Sequence, residues 1–117
     1  MDNNLTAKIR IHLFTHDKCF GPGIYQVLEK VDKLGSLRSA AADMNMSYSK
    51  AWKMVKTCEE NLGFKLLISS TGGKNGGGAH ITDEAHAFME AYEQYVAKVN
   101  AFSEELLKEK FNFYKNS

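Results

Sequence analysis

The chain has 117 residues, 44% of them hydrophobic, which is enough for one compact core and too little chain for several domains. No apolar run approaches the roughly 20 residues of a membrane span, and the opening MDNNLTAKIR lacks the apolar stretch of a signal peptide, so a cytoplasmic protein without membrane attachment is expected. The formal net charge of +1 excludes a chain that is basic throughout, so the distribution of charge matters more than its sum.

Residues 7–14 alternate, with Ile9, Ile11 and Leu13 on one side and Lys8, Arg10 and His12 on the other. Period-2 alternation with β-branched residues predicts a half-buried strand. The stretch THDKCFGPG reads as a loop, and its proline stands where a first helical turn tolerates one. Apolar residues at 24, 27, 28, 31 and 34 then form the stripe of an amphipathic helix, and Gly35 sits where a helix-ending glycine belongs.

Residues 36–63, SLRSAAADMNMSYSKAWKMVKTCEENLG, read as two helices joined by a tight turn. Ser36 caps the first, whose inner face is Leu37, Ala40, Ala41 and Met44; the small alanines let a second helix cross closely. Asn45 tolerates the left-handed conformation of a sharp turn, Met46 tucks beneath it, and Ser47 caps the next helix. That helix presents Ser49, Lys50, Lys53, Lys56 and Glu60 on its outer face. Residues 64–82 follow as two short strands around TGGKNGGG, a glycine-rich hairpin tip. Helix-turn-helix followed by a two-stranded hairpin is a winged helix. The predicted fold class is therefore mainly α with a small β wing: a winged helix-turn-helix over 1–82 and a long C-terminal dimerisation helix over 83–117.

That last helix begins after Thr82 and carries Ala85, Phe88, Tyr92, Tyr95, Val99, Phe102 and Leu106 at alternating spacings of three and four. Extended to Tyr114 it spans about 48 Å at ~1.5 Å per residue, more than a core this small can cover. Phe88, Tyr92, Tyr95, Val99, Phe102 and Leu106 are the candidate dimer interface; the competing use is packing against the N-terminal strand and first helix alone, and the early seam residues are expected to serve both.

Charge follows the same division. Residues 36–82 hold six Lys/Arg against three acids (+3), residues 83–117 four against seven (−3), and residues 1–35 five against four (+1). The candidate DNA-binding residues are Ser36, Ser47, Tyr48, Ser49, Lys50 and Lys53 on the two helices, with Lys74 and Asn75 on the wing. Lysine donates to guanine edges, serine and tyrosine to bases or phosphates, and free N–H groups at helix starts suit phosphate oxygens. Trp52 reads as support for the wing or the neighbouring helix.

Other chemistries find little in the chain. A P-loop needs Gly at 68 and Ser or Thr at 75, where this chain has Ile68 and Asn75. His12, His16 and Cys19, or Cys58, His80 and His86, lack a metal-binding spacing motif, so neither a metal nor another cofactor is expected. Cys19 and Cys58 read as free thiols in unrelated contexts. No catalytic constellation can be assigned, so an enzyme is not expected.

The segments SLRSAAADMNMSYSKAW, LGFKLL, TGGKNGGGA and HITDEA together resemble the N-terminal DNA-binding domain of the ModE-type molybdate-dependent regulators, which is similar to the reader of LysR-type regulators. The resemblance covers residues 21–92 in one register. It implies a winged helix, homodimerisation through terminal helices and sequence-specific binding to a palindromic operator in double-stranded DNA. Family members carry molybdate on C-terminal domains; this chain stops at Ser117, so no molybdate binding is expected from it alone. It departs from the family at Ser69 and Ser70, where an acid and a base often stand, at Asn75 and at Ala85. Loss of a wing cation weakens phosphate attraction, which leaves a second reading: a winged-helix interaction module that has lost DNA affinity or works with a separate effector-binding subunit.

Overall fold

The structure, a computed structural model, describes residues 4–70 and 78–114. In chain order it comprises β1 (Leu13–Phe14), β2 (Lys18–Phe20), α1 (Pro22–Leu34), α2 (Leu37–Asp43), α3 (Tyr48–Leu62), β3 (Leu67–Ser70), β4 (Gly78–Ile81) and α4 (Asp83–Lys110). β1 pairs antiparallel with β2, and β3 with β4, giving two separate two-stranded sheets. A three-helix unit bearing a β3–β4 hairpin is a winged helix, as the sequence predicts.

The helix boundaries follow local chemistry. α1 opens on Pro22 and ends at Gly35, whose φ of 82° is left-handed backbone that glycine adopts without strain. α2 and α3 are capped by Ser36 and Ser47, whose hydroxyls accept the N–H groups of Ser39 and Lys50. Between them Asn45 takes a φ of 55°, and Met46 packs partly buried against the core. Thr82 caps α4 by accepting from the Ala85 N–H, and its own hydroxyl donates to the Lys65 carbonyl at 2.7 Å.

The core gathers Val27, Leu28 and Val31 of α1, Ala40 and Ala41 of α2, and Ala51, Val55 and Cys58 of α3. Phe20, Leu66, Ile81 and Ala85 close it from the hairpins and α4. Cys19 and Cys58 are both buried and free, and they share this core instead of lying in unrelated contexts. Burial pushes the Cys58 thiol up to about 12, with a further contribution from neighbouring Cys19.

Two expectations are corrected. The strand over 7–14 shrinks to Leu13–Phe14, and the supposed loop after it holds β2. A strand needs a ladder, and β2 offers only three residues, with an irregularity at Leu13/Phe14. Residues 4–12 instead run along α4 without regular structure: the Ile11 carbonyl accepts from the Tyr92 hydroxyl at 2.8 Å, and Leu5 borders a small cavity with Leu107 and Phe111. Six extended residues reach about 20 Å, matching the ~22 Å of helix between positions 92 and 107.

The second correction concerns the seam on α4. Tyr92 is only 7% exposed, and its ring meets Phe20 edge-on at 5.0 Å. Phe88 is partly buried against Phe20 and Phe64. Both pack within this chain because the first three turns of α4 lie over α1 and β2, which leaves Tyr92 almost no surface for a partner and Phe88 half-buried. Beyond them the helix projects. Tyr95 and Phe102 are 56% and 64% exposed, Leu106 is exposed and Val99 half-buried. The radius of gyration is 18.1 Å, against about 13 Å for a compact chain of this length.

Candidate nucleic-acid interface

At about 100° per residue, the buried side of α3 is defined by Ala51, Val55 and Cys58. Ser49 and Lys53 fall opposite that direction, at the centre of the outward face. Lys50 lies on the flank toward the β1–β2 hairpin, and Tyr48 and Trp52 on the flank toward α2. Ser49, Lys50 and Lys53 are exposed, so the first turn and a half of α3 offers two lysines and a serine to solvent.

Tyr48 is held by Arg38, which in the sequence is legible only as a charge. The Arg38 guanidinium of α2 lies 4.5 Å from the Tyr48 ring centroid, placing a cation beside the helix start. Trp52 is 47% exposed, and Lys56 approaches its ring at 5.7 Å. Ala51 and Val55 take the inward positions, which turns the indole outward.

The Ser36 and Ser47 hydroxyls are both engaged as caps, and Ser36 also donates to the Ser39 hydroxyl at 2.8 Å. Lys74 and Asn75 fall outside the described residues. The wing strands are nonetheless placed, with Leu67 opposite Ile81 and Ser70 opposite Gly78.

What fixes the wing against α3 is Glu59, a buried carboxylate only 8% exposed. One oxygen accepts from the Leu66 N–H at 2.8 Å and the Leu67 N–H at 3.3 Å; the other lies 3.4 Å from the Lys56 ammonium. The signal was present: position 59 is four residues after Val55 and continues the inward stripe. On the far side the Ala79 N–H donates to the Gly35 carbonyl, tying the returning strand to the end of α1. Lys30 of α1 pairs with Asp43 of α2 at 2.6 Å.

The class defined by this arrangement is the winged helix-turn-helix, with a capped second helix whose outward face is cationic and whose wing is anchored to that same helix. The crystal structure of the CbnR_DBD–DNA complex shares the fold, with a TM-score of 0.55 and 20% identity over 71% of this chain and 90% of that one. The chain belongs to the LysR family of bacterial regulatory helix-turn-helix proteins, whose profile matches residues 24–86. It is also similar to the transcriptional regulator ModE of Haemophilus influenzae, with 32% identity over 76% of this chain and 33% of that protein. To the DNA-binding transcriptional dual regulator ModE of Escherichia coli K12 it is 29% identical, over 76% of this chain and 34% of that protein. The chain thus spans about a third of the length of these relatives.

Proposed function

We propose that this chain is a sequence-specific DNA-binding transcriptional regulator that acts as a homodimer on a palindromic or pseudo-palindromic operator. The observation that carries the reading is the start of α3, where Lys53 and Ser49 point away from the core beside Lys50 and the Arg38–Tyr48 pair. In the major groove, Lys53, Lys50 and Ser49 meet base edges, and Tyr48 and Arg38 meet the flanking backbone. Lys74 and Asn75 of the wing follow the phosphates. Support for a second copy comes from the projecting part of α4, where Tyr95, Val99, Phe102 and Leu106 leave apolar surface uncovered.

Fluorescence anisotropy against a random-sequence DNA pool at two salt concentrations tests this. Enrichment of a two-fold-symmetric site with salt-dependent affinity is expected, since neutralised phosphates release counterions. Lys53→Ala relaxes discrimination between sites, whereas Lys74→Ala lowers affinity evenly across sequences. Sedimentation of Phe102→Asp reads the dimer, with a shift to monomer expected. A wild-type chain that is monomeric and shows neither enrichment nor salt dependence refutes the proposal and favours the interaction-module reading.

A further inference from the structure

Between α3 and the β1–β2 hairpin lies a cavity of about 320 Å³. Its floor is apolar, formed by the buried rings and chains of Phe20 and Ile24 together with Met54. Its walls carry Lys18 of β2 and Lys50 and Lys53 of α3, and none of the described residues lining it is acidic. Among the described residues none of these three lysines has an ion-pair partner, because the ion pairs present involve Lys30, Lys56, His86 and Lys110. Three exposed cations border one apolar hollow with no carboxylate among the described lining residues to offset them, so an anion there gains attraction from all three, moderated by solvent screening.

We infer that this cavity binds a small organic anion, a flat apolar body bearing one carboxylate or sulfonate, and that its occupancy competes with DNA for Lys50 and Lys53. The volume lies at the lower end of small-molecule sites, room for one or two fused rings. A bare oxyanion satisfies the lysines but leaves the half-buried Met54 side chain uncovered; a neutral ring covers Met54 but leaves the lysines unpaired. Both halves of the lining require both halves of the ligand. Gly23 in the first turn of α1 lines the hollow, and an added Cβ there would stand 3.5 Å from the Met54 methyl, an ordinary contact. A larger side chain there fits the backbone and closes the hollow.

The binding claim stands without DNA; the competition claim rests on the proposed DNA-reading role of α3, and the experiment separates them. The full chain is titrated with 1-naphthoate and followed by two-dimensional amide NMR, with 1-naphthamide and sodium sulfate as matched probes. Saturable shifts at Phe20, Ile24 and Met54 are expected with naphthoate. Lys18→Gln weakens binding about fivefold, as loss of one partly screened charged contact implies, and Gly23→Leu abolishes it in a chain whose spectrum remains folded. Equal binding of naphthamide, equal shifts with sulfate, shifts scattered over surface lysines away from the floor, or full binding by Gly23→Leu each overturn the site. In the second arm naphthoate raises the apparent Kd for DNA in the wild type, and Gly23→Leu loses this response. Naphthoate seated in the cavity with an unchanged DNA affinity overturns the competition alone; no DNA binding at all overturns the regulator reading and leaves the NMR result standing.

Discussion

Replacing Glu59 by alanine isolates the contact that aligns the wing with α3. The substitution removes the acceptor of the Leu66 N–H, a 2.8 Å bond in a buried setting, and of the Leu67 N–H at 3.3 Å. A bond to a charged acceptor contributes about 1.5–3 kcal/mol, and the longer, partly exposed one adds about 0.5–1. Relief of the carboxylate's own desolvation offsets part of this, and the Lys56 contact at 3.4 Å is half-exposed and adds little. The expected net loss is about 1.5–3 kcal/mol, a fall in melting temperature of roughly 6–12 °C for a chain of this length. Glu59→Gln keeps one acceptor oxygen for the Leu66 amide and should lose only about 1 kcal/mol. Urea unfolding followed by circular dichroism measures both variants. An alanine variant within about 0.5 kcal/mol of wild type, or a glutamine variant as weak as alanine, would refute the claim that this carboxylate anchors the strand.

Three further outcomes are expected. Asn45 has a φ of 55°, so Asn45→Val should destabilise by about 1–2 kcal/mol while Asn45→Gly stays near neutral; equal losses in thermal melts would show that the turn does not impose that conformation. Tyr92→Phe keeps the ring beside Phe20 but drops the bond to the Ile11 carbonyl, costing about 1 kcal/mol and speeding proteolytic cleavage within residues 4–12; an unchanged cleavage rate contradicts the docking of that segment. Alkaline pH should weaken the fold. The Glu93 hydrogen bond, followed by burial, raises the Tyr25 hydroxyl from 10.0 to about 12, and burial raises the Cys58 thiol from 9.0 to about 12. Above about pH 9 the unfolded chain releases these protons while the folded chain keeps them, so stability is full below the unfolded values and falls through the folded ones. Urea midpoints that do not fall between about pH 8 and pH 10.5 would contradict this, and Tyr25→Phe should flatten the slope.

What could be read in the sequence was local. Ser36, Ser47, Thr82 and Gly35 announce helix ends through chemistry that acts within four residues, and the structure places a cap or terminus at each. The alternation of Ile9, Ile11 and Leu13 holds only in part: Ile11 and Leu13 pack partly buried against the core while Ile9 stays exposed, and the bond that holds the Ile11 carbonyl comes from Tyr92 of α4, some eighty residues away in the chain, which local alternation does not reveal. The seam on α4 likewise gives no hint of where the core stops; that division between Tyr92 and Tyr95 depends on how far α1 and β2 reach. In the candidate site, Lys50 and Lys53 were legible from helical spacing. Arg38 over Tyr48 and the Lys18 side of the cavity were not, because each depends on two elements meeting.

The junction at Thr82 has a mechanical consequence. Its side chain and backbone bond to Lys65 and Leu66 at the root of the wing, while its hydroxyl also starts α4. The projecting rod and the wing therefore share one rigid bearing with no slack residue between them. In the proposed dimer, a roll of one rod against its twin is delivered undamped to both wing roots, so the tolerated distance and phase between operator half-sites should be narrow.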